Sequence, residues 1–276
     1  MLKRVISGLV ILAVFILMVV FMDTPLLPVL ISVFSAIGVY ELNNIAKVRL
    51  PAMVLSIAMA AAIPLWAVYG DYFLFGQIVG LYVIAMLIMM VKWHGELKIE
   101  QIAVSVLSSV AVPCALSCWP LLAKENDFGS MAYYYILLAV SCAWLSDMFA
   151  YFCGVAFGKH KMTPVVSPKK TWEGAIGGIL ITAGVNVAFH FIFKAKFLGD
   201  GVLPWDWYMI IPVSVALSVI SIFGDLSASV IKRQFGVKDY GWLIPGHGGV
   251  MDRFDSMLFV FPVMYVIYSV VELVNA

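Results

Sequence analysis

The chain has 276 residues, of which 63% are hydrophobic and 12% charged, with a net charge of +1 and a mean hydropathy of +1.03. About a quarter of an ordinary soluble domain is charged, so this composition excludes a soluble globular protein and indicates a polytopic membrane protein. The net charge argues neither for nor against an acidic partner, because in a membrane protein the side on which charges lie matters more than their sum.

A spanning helix needs about 20 apolar residues, and nine runs qualify, at 3–22, 25–42, 52–69, 72–91, 101–122, 131–157, 174–194, 206–231 and 254–274. They predict an all-α transmembrane bundle forming one integral membrane domain over 1–276. Residues 1–130 supply N-terminal spans, and 131–276 supply C-terminal spans and the polar loops. Met1-Leu-Lys3-Arg4 and the apolar run behind it have the outline of a signal peptide. No small-x-small cleavage site follows, and further spans do, so the run is expected to stay as the first helix. Cys114, Cys118, Cys142 and Cys153 all sit in apolar stretches and are expected to pack rather than pair or bind metal.

Lysines and arginines set the orientation. With the N-terminus cytoplasmic and the C-terminus outside, 14 of the 17 basic residues fall on one side, and only Lys124, Lys194 and Lys196 fall on the other. Two of the cytoplasmic segments are longer than a connection needs. One runs from Lys159 to Glu173; the other runs from Ser229 to Asp255 and holds four basic residues, three carboxylates, a histidine and a run of glycines.

Ionisable residues inside spans are costly and usually functional. Asp147 and Asp225 lie in two helices that both run outside to inside, each roughly 24–28 Å from the outer boundary at about 1.5 Å per residue. They are therefore expected to share a depth near the cytoplasmic edge. Asp225, Ser229 and Lys232, spaced i, i+4, i+7, form one stripe leading into the basic loop. Asp252 and Asp255 open the ninth span, so three segments can bring carboxylates to one level, an arrangement suited to Mg²⁺ held with substrate phosphates. Glu41, Glu173 and Asp239, near span ends, are expected to be solvated or to neutralise a lysine.

Gly246-His247-Gly248-Gly249 is expected to bring backbone N–H groups to an anion. With cations on both sides and carboxylates after it, the loop points to a polyphosphate. Neither a Walker A sequence nor a Gly-x-Gly-x-x-Gly behind a strand is present. Ser167-Pro-Lys169-Lys170 precedes a helix start, which favours phosphate, although paired lysines also serve as a membrane anchor. Trp172 and Trp242 read as interfacial residues. Gly154/Gly158 and Gly174/Gly178 have the spacing of close helix packing or of a homodimer interface.

These residues resemble a known family. The pattern Ser229-x-x-Lys232-Arg233, Lys238-Asp239 and His247-Gly248-Gly249-x-x-Asp252-Arg253-x-Asp255 is similar to the signature of the phosphatidate cytidylyltransferases, or CDP-diacylglycerol synthases. Ser167 to Gly174, Phe223-Gly-Asp225-Leu and Ser146-Asp147 with Ala150-Tyr151 look like the bacterial members. The resemblance covers about residues 140–260; residues 1–130 match only as spans.

It implies a multi-pass enzyme of the bacterial cytoplasmic membrane. CTP and phosphatidic acid would give CDP-diacylglycerol and pyrophosphate at the cytoplasmic face, with one or two Mg²⁺ ions or a monovalent ion beside them, and no nucleic-acid partner. On this resemblance Asp225 and Asp252 hold metal with Asp147 or Asp255 in support. Lys232, Arg233, Lys238 and Arg253 face the triphosphate, Lys169, Lys170 and Ser167 a substrate phosphate, and Gly248 and Gly249 the ligand backbone contact. Ser229 orients an oxygen, and His247 completes the catalytic set. Two rival readings share parts of the pattern: a CTP-dependent membrane lipid kinase, which transfers the γ-phosphoryl group, and an ion- or proton-coupled transporter using Asp147 and Asp225.

Overall fold

Each of the nine apolar runs is helical in the computed structural model, which describes residues 2–125, 130–198, 203, 205–244, 246 and 248–275. The helices are α1 (Leu2–Val20), α2 (Leu26–Ile45), α3 (Leu50–Tyr69), α4 (Tyr72–Lys92), α5 (Ile99–Glu125), α6 (Ser130–Phe157), α7 (Trp172–Phe193), α8 (Trp207–Gln234), a single turn α9 (Met251–Phe254) and α10 (Met257–Asn275). Among the described residues seven, α2 to α8, are long and apolar enough to cross a membrane. The apolar parts of α1 and α10, Ser7–Val20 and Met257–Val271, are shorter. Large apolar side chains such as Phe73, Leu81, Ile88 and Val91 on α4 are exposed, which suits lipid and not water.

The chain divides into two compact units: Met1–Lys124 with Gln234–Phe254, and Glu125–Arg233 with Asp255–Ala276. The long polar loop thus packs with the N-terminal helices, although it lies in the C-terminal half of the sequence.

In the first unit Val48, Ala52, Met59, Ile63, Tyr82, Met86, Leu97 and Ile102 form a buried apolar cluster. Polar groups within it are paired, as lipid offers them no alternative. The Tyr82 hydroxyl lies 2.6 Å from Ser109 Oγ and 3.2 Å from Ser56 Oγ, and Asn43 accepts from Ser105. Asp71 caps α4 by accepting from Phe73 N at 2.8 Å, the usual service of a short side-chain oxygen at a helix start.

In the second unit α6 and α7 pack at backbone distance. A Cβ at Gly178 would sit 2.6 Å from Ser146 O, and one at Gly174 would sit 2.6 Å from Ala150 O and 3.0 Å from Gly154 Cα. The small-residue spacing is therefore spent inside the chain, on this helix pair. Asn186 of α7 ties three helices together: its Oδ1 accepts from Ser141 Oγ at 2.5 Å, and its Nδ2 donates to Ser214 Oγ at 3.0 Å and Cys142 Sγ at 3.2 Å. All four cysteines are free. Between α6 and α7 lies a hairpin of β1 (Lys161–Thr163) and β2 (Ser167–Thr171), antiparallel with Lys161 opposite Thr171. Thr171 ends β2 and caps α7, accepting from Gly174 N at 3.2 Å. Glu173 closes the hairpin base by accepting from Lys159 N at 3.1 Å and His160 Nδ1 at 2.5 Å, a more definite role than neutralising a lysine.

Candidate active site

In the second unit three elements bring charge to one place. Asp147 comes from α6, Asp225 from α8 and Lys170 from β2. Lys170 Nζ lies 2.5 Å from Asp225 Oδ2 and 3.7 Å from Asp147 Oδ1. The two span aspartates thus do meet, as their matched depth predicts. Burial works against the Lys170 charge, but Asp147 and Asp225 outweigh it and hold its pKa above the usual lysine value. Lys170 is therefore engaged with carboxylates here, whereas Lys169 is exposed and Ser167 half-buried.

Asp255 joins this group because of a glycine. A Cβ at Gly224 would lie 2.9 Å from Asp255 O and 3.0 Å from Ser256 Cα, so only glycine lets the chain entering α10 come this close to α8. Ser256 then donates through N to Asp255 Oδ1 at 2.8 Å and through Oγ to Asp147 Oδ2 at 3.3 Å. Ser229 and Lys232 continue the Asp225 stripe along α8 and are half-buried.

The first unit holds the glycine loop. Gly236, Gly246 and Gly248 have φ of +69°, +80° and +81°, a region that side chains rarely adopt, and the loop closes on itself where Ile244 N donates to Gly248 O at 3.0 Å. Asp252, nearly buried on α9, accepts through one oxygen, Oδ2, from Tyr240 N at 2.8 Å and from Gly249 N at 3.0 Å. The next two amides, Val250 N and Met251 N, donate to Glu41 of α2 at 3.0 and 2.9 Å. The backbone N–H groups from 249 to 251 do turn toward anions, as a nest would. The anions here are the chain's own carboxylates, and of the amides expected to face a ligand Gly249 N is the one taken up by Asp252.

Arg233, Lys238 and Asp239 are exposed. Arg253 is half-buried, with its Nε buried and unpaired. Pro245 and His247 lie outside the described residues. Glu41 is the residue whose importance the sequence hid: it sits near a span end, where a solvated charge is expected, yet it is 4% exposed. The available signal was its being the sole carboxylate in the second apolar run, since intramembrane acids are functional by default.

Among the described residues no group of three or more His, Cys, Asp or Glu is arranged to hold a metal. Asp147 and Asp225 nevertheless converge from separate helices, with the Lys170 ammonium between them. Two carboxylates with further ligands from phosphate and water are the usual Mg²⁺ donor set, so the residues fit a hard cation bound together with a phosphate ligand.

The sequence profile of the cytidylyltransferase family matches residues 2–271. The chain belongs to the cytidylyltransferase family. That match takes in the N-terminal spans, well beyond the signature residues of 140–260. Among curated proteins the chain is similar to a phosphatidate cytidylyltransferase of Thermotoga maritima, 38% identical over 150 residues, which are 53% of this chain and 52% of that one. It is also similar to those of Staphylococcus haemolyticus, 41% identical over 134 residues, and of Staphylococcus aureus strain COL, 42% over 134, each match being 49% of this chain and 48% of the relative. The chain spans about half the length of the curated relatives it matches.

Proposed function

We propose that this chain transfers the cytidylyl group of CTP to phosphatidic acid, giving CDP-diacylglycerol and pyrophosphate, at the cytoplasmic face of a bacterial membrane and with Mg²⁺. The observation that carries the reading is a pair of helix-borne carboxylates converging on the Lys170 ammonium in a member of the cytidylyltransferase family. The names of the relatives support the lipid substrate. The charge asymmetry of the loops supports the cytoplasmic side, which serves a nucleotide arriving from water and a lipid arriving from the bilayer.

A phosphate oxygen of phosphatidate attacks the α-phosphorus of CTP. The new P–O bond forms as the bond from the α-phosphorus to the bridging oxygen breaks, and pyrophosphate leaves with that oxygen's electron pair. The attacking oxygen is already anionic at neutral pH, so no general base is required and His247 is not needed to remove a proton. What the reaction needs is positioning and neutralisation of charge. Lys232, Arg233, Lys238 and Arg253 supply positive charge to the triphosphate and the leaving group. Lys169 holds a substrate phosphate, and Lys170 keeps Asp147 and Asp225 together. Ser229 orients an oxygen from the Asp225 stripe. Asp225 and Asp252, with Asp147 in support, are the residues that would hold Mg²⁺, which would supply further charge neutralisation when bound.

The test is product formation by the purified, reconstituted full-length protein. CDP-diacylglycerol and pyrophosphate should appear in equal amounts, only with CTP, phosphatidate and Mg²⁺ together. Substrate flux across the vesicle wall without CTP, and no nucleotide product, would replace this reading with transport.

A further inference from the structure

We infer that Glu41 is a positioning residue for the glycine loop, fixing Gly249–Met251 from α2 and thereby setting the aim of Asp252. The inference deepens the proposed reading and rests on it for the reaction that the loop serves.

A carboxylate inside an apolar helix is expensive unless its charge is answered. Among the described residues the answer at Glu41 comes from the loop, one oxygen for each amide: Oε1 accepts from Val250 N and Oε2 from Met251 N. These amides stand at the start of α9, where a helix has N–H groups without intrahelical partners. The space around the carboxylate is just as specific. A Cβ added at Gly241 or at Gly249 would run into the Glu41 carboxylate, so both glycines are the room that Glu41 occupies. Three segments, α2, the turn at Tyr240-Gly241 and the turn at Gly248-Gly249, therefore close around one side chain.

Attachment alone does not require the charge. Phe34 of α2 and Phe254 of α9 already pack as a tilted ring pair with centroids 5.4 Å apart, and a well-packed apolar residue commonly holds as well as a buried ion does. What an apolar residue cannot do is choose the direction of two consecutive amides. With Val250 and Met251 committed to Glu41, the preceding amide, Gly249 N, falls to Asp252 Oδ2, which also takes Tyr240 N. The two carboxylates divide three successive N–H groups between them, so the orientation of Asp252 depends on Glu41, a residue more than two hundred positions earlier that belongs to no part of the signature.

The experiment compares wild type with Glu41→Gln in the reconstituted full-length protein, by amide exchange over residues 236–254 and by steady-state kinetics. Glutamine keeps the shape but presents an NH₂ to one of the two amides. The expected result is a folded protein whose Val250 and Met251 amides exchange faster, with KM for CTP raised about tenfold and KM for phosphatidate unchanged. A residue that mattered only for folding would lower kcat in proportion to the inactive fraction and leave both KM values alone; that result, or kinetics equal to wild type, would overturn the inference. If Glu41→Gln does not fold, Gly241→Ala drives a Cβ into the carboxylate while leaving Glu41 in place. It should give the same exchange and CTP signature, and wild-type behaviour there would overturn the inference equally. A wild-type protein that forms no CDP-diacylglycerol would defeat the proposed reaction instead, and the exchange result alone would then decide whether the loop depends on Glu41.

Discussion

Asp252→Asn is expected to leave the protein folded and to lower Mg²⁺-dependent CDP-diacylglycerol formation by about 10²–10³-fold, the scale on which a single group acting on transition-state charge is felt. The fold should survive because the oxygen that accepts from Tyr240 N and Gly249 N persists in asparagine. What disappears is the negative charge, along with the acceptor character of the other terminal atom. Loop geometry and charge are thereby separated: the melting temperature should move little while turnover collapses. Near-normal turnover in the folded variant would remove Asp252 from the metal-holding set and leave it as an organiser of the loop.

Asp225→Asn is expected to cost both activity and stability. Asp225 makes the closer of the two contacts with Lys170, 2.5 Å against 3.7 Å for Asp147, and it sits at the head of the stripe leading to Ser229 and Lys232. Removing one member of a fully buried ion pair costs about 3–5 kcal/mol. Here Asp147 remains to answer the ammonium, so the loss should be on the order of 1–2 kcal/mol. Activity should fall by about 10²–10³-fold, and by less in Asp147→Asn. A second readout is independent of turnover. Saturating Mg²⁺ with CTP should raise the melting temperature of wild type, since a ligand at about a hundred times its Kd stabilises by about 2.7 kcal/mol, and should not raise that of Asp225→Asn. Equal stabilisation of the two proteins would place the metal elsewhere.

The helices were legible in the sequence because lipid leaves the backbone little choice: a run of about 20 apolar residues must satisfy its own amides. The meeting of Asp147 and Asp225 was legible for a related reason, since the rise of a helix fixes depth and both aspartates lie similarly far into helices of the same direction. Lys170 was harder to read. Its place beside Lys169 suggests a phosphate, and only the return of β2 toward α6 and α8 shows that it answers two carboxylates. Glu41 was not legible, because hydrogen bonds from Val250 and Met251 cross more than two hundred residues and leave no periodic trace in either segment. The glycines show the same divide. Gly248 could be anticipated from the need for a left-handed turn, but Gly241 and Gly249 owe their identity to a carboxylate from another helix, and Gly224 to the approach of Asp255 and Ser256.

The central claim is that the α-phosphorus of CTP is the atom attacked. The direct measurement supplies the reconstituted protein with phosphatidate, Mg²⁺ and CTP labelled at the α-phosphorus, and follows the label into lipid or into free nucleotide. Cytidylyl transfer predicts that the label enters the lipid fraction as CDP-diacylglycerol while unlabelled pyrophosphate is released. Label found only in released CDP, with the lipid gaining an unlabelled phosphate, would contradict it and make the protein a CTP-dependent lipid kinase.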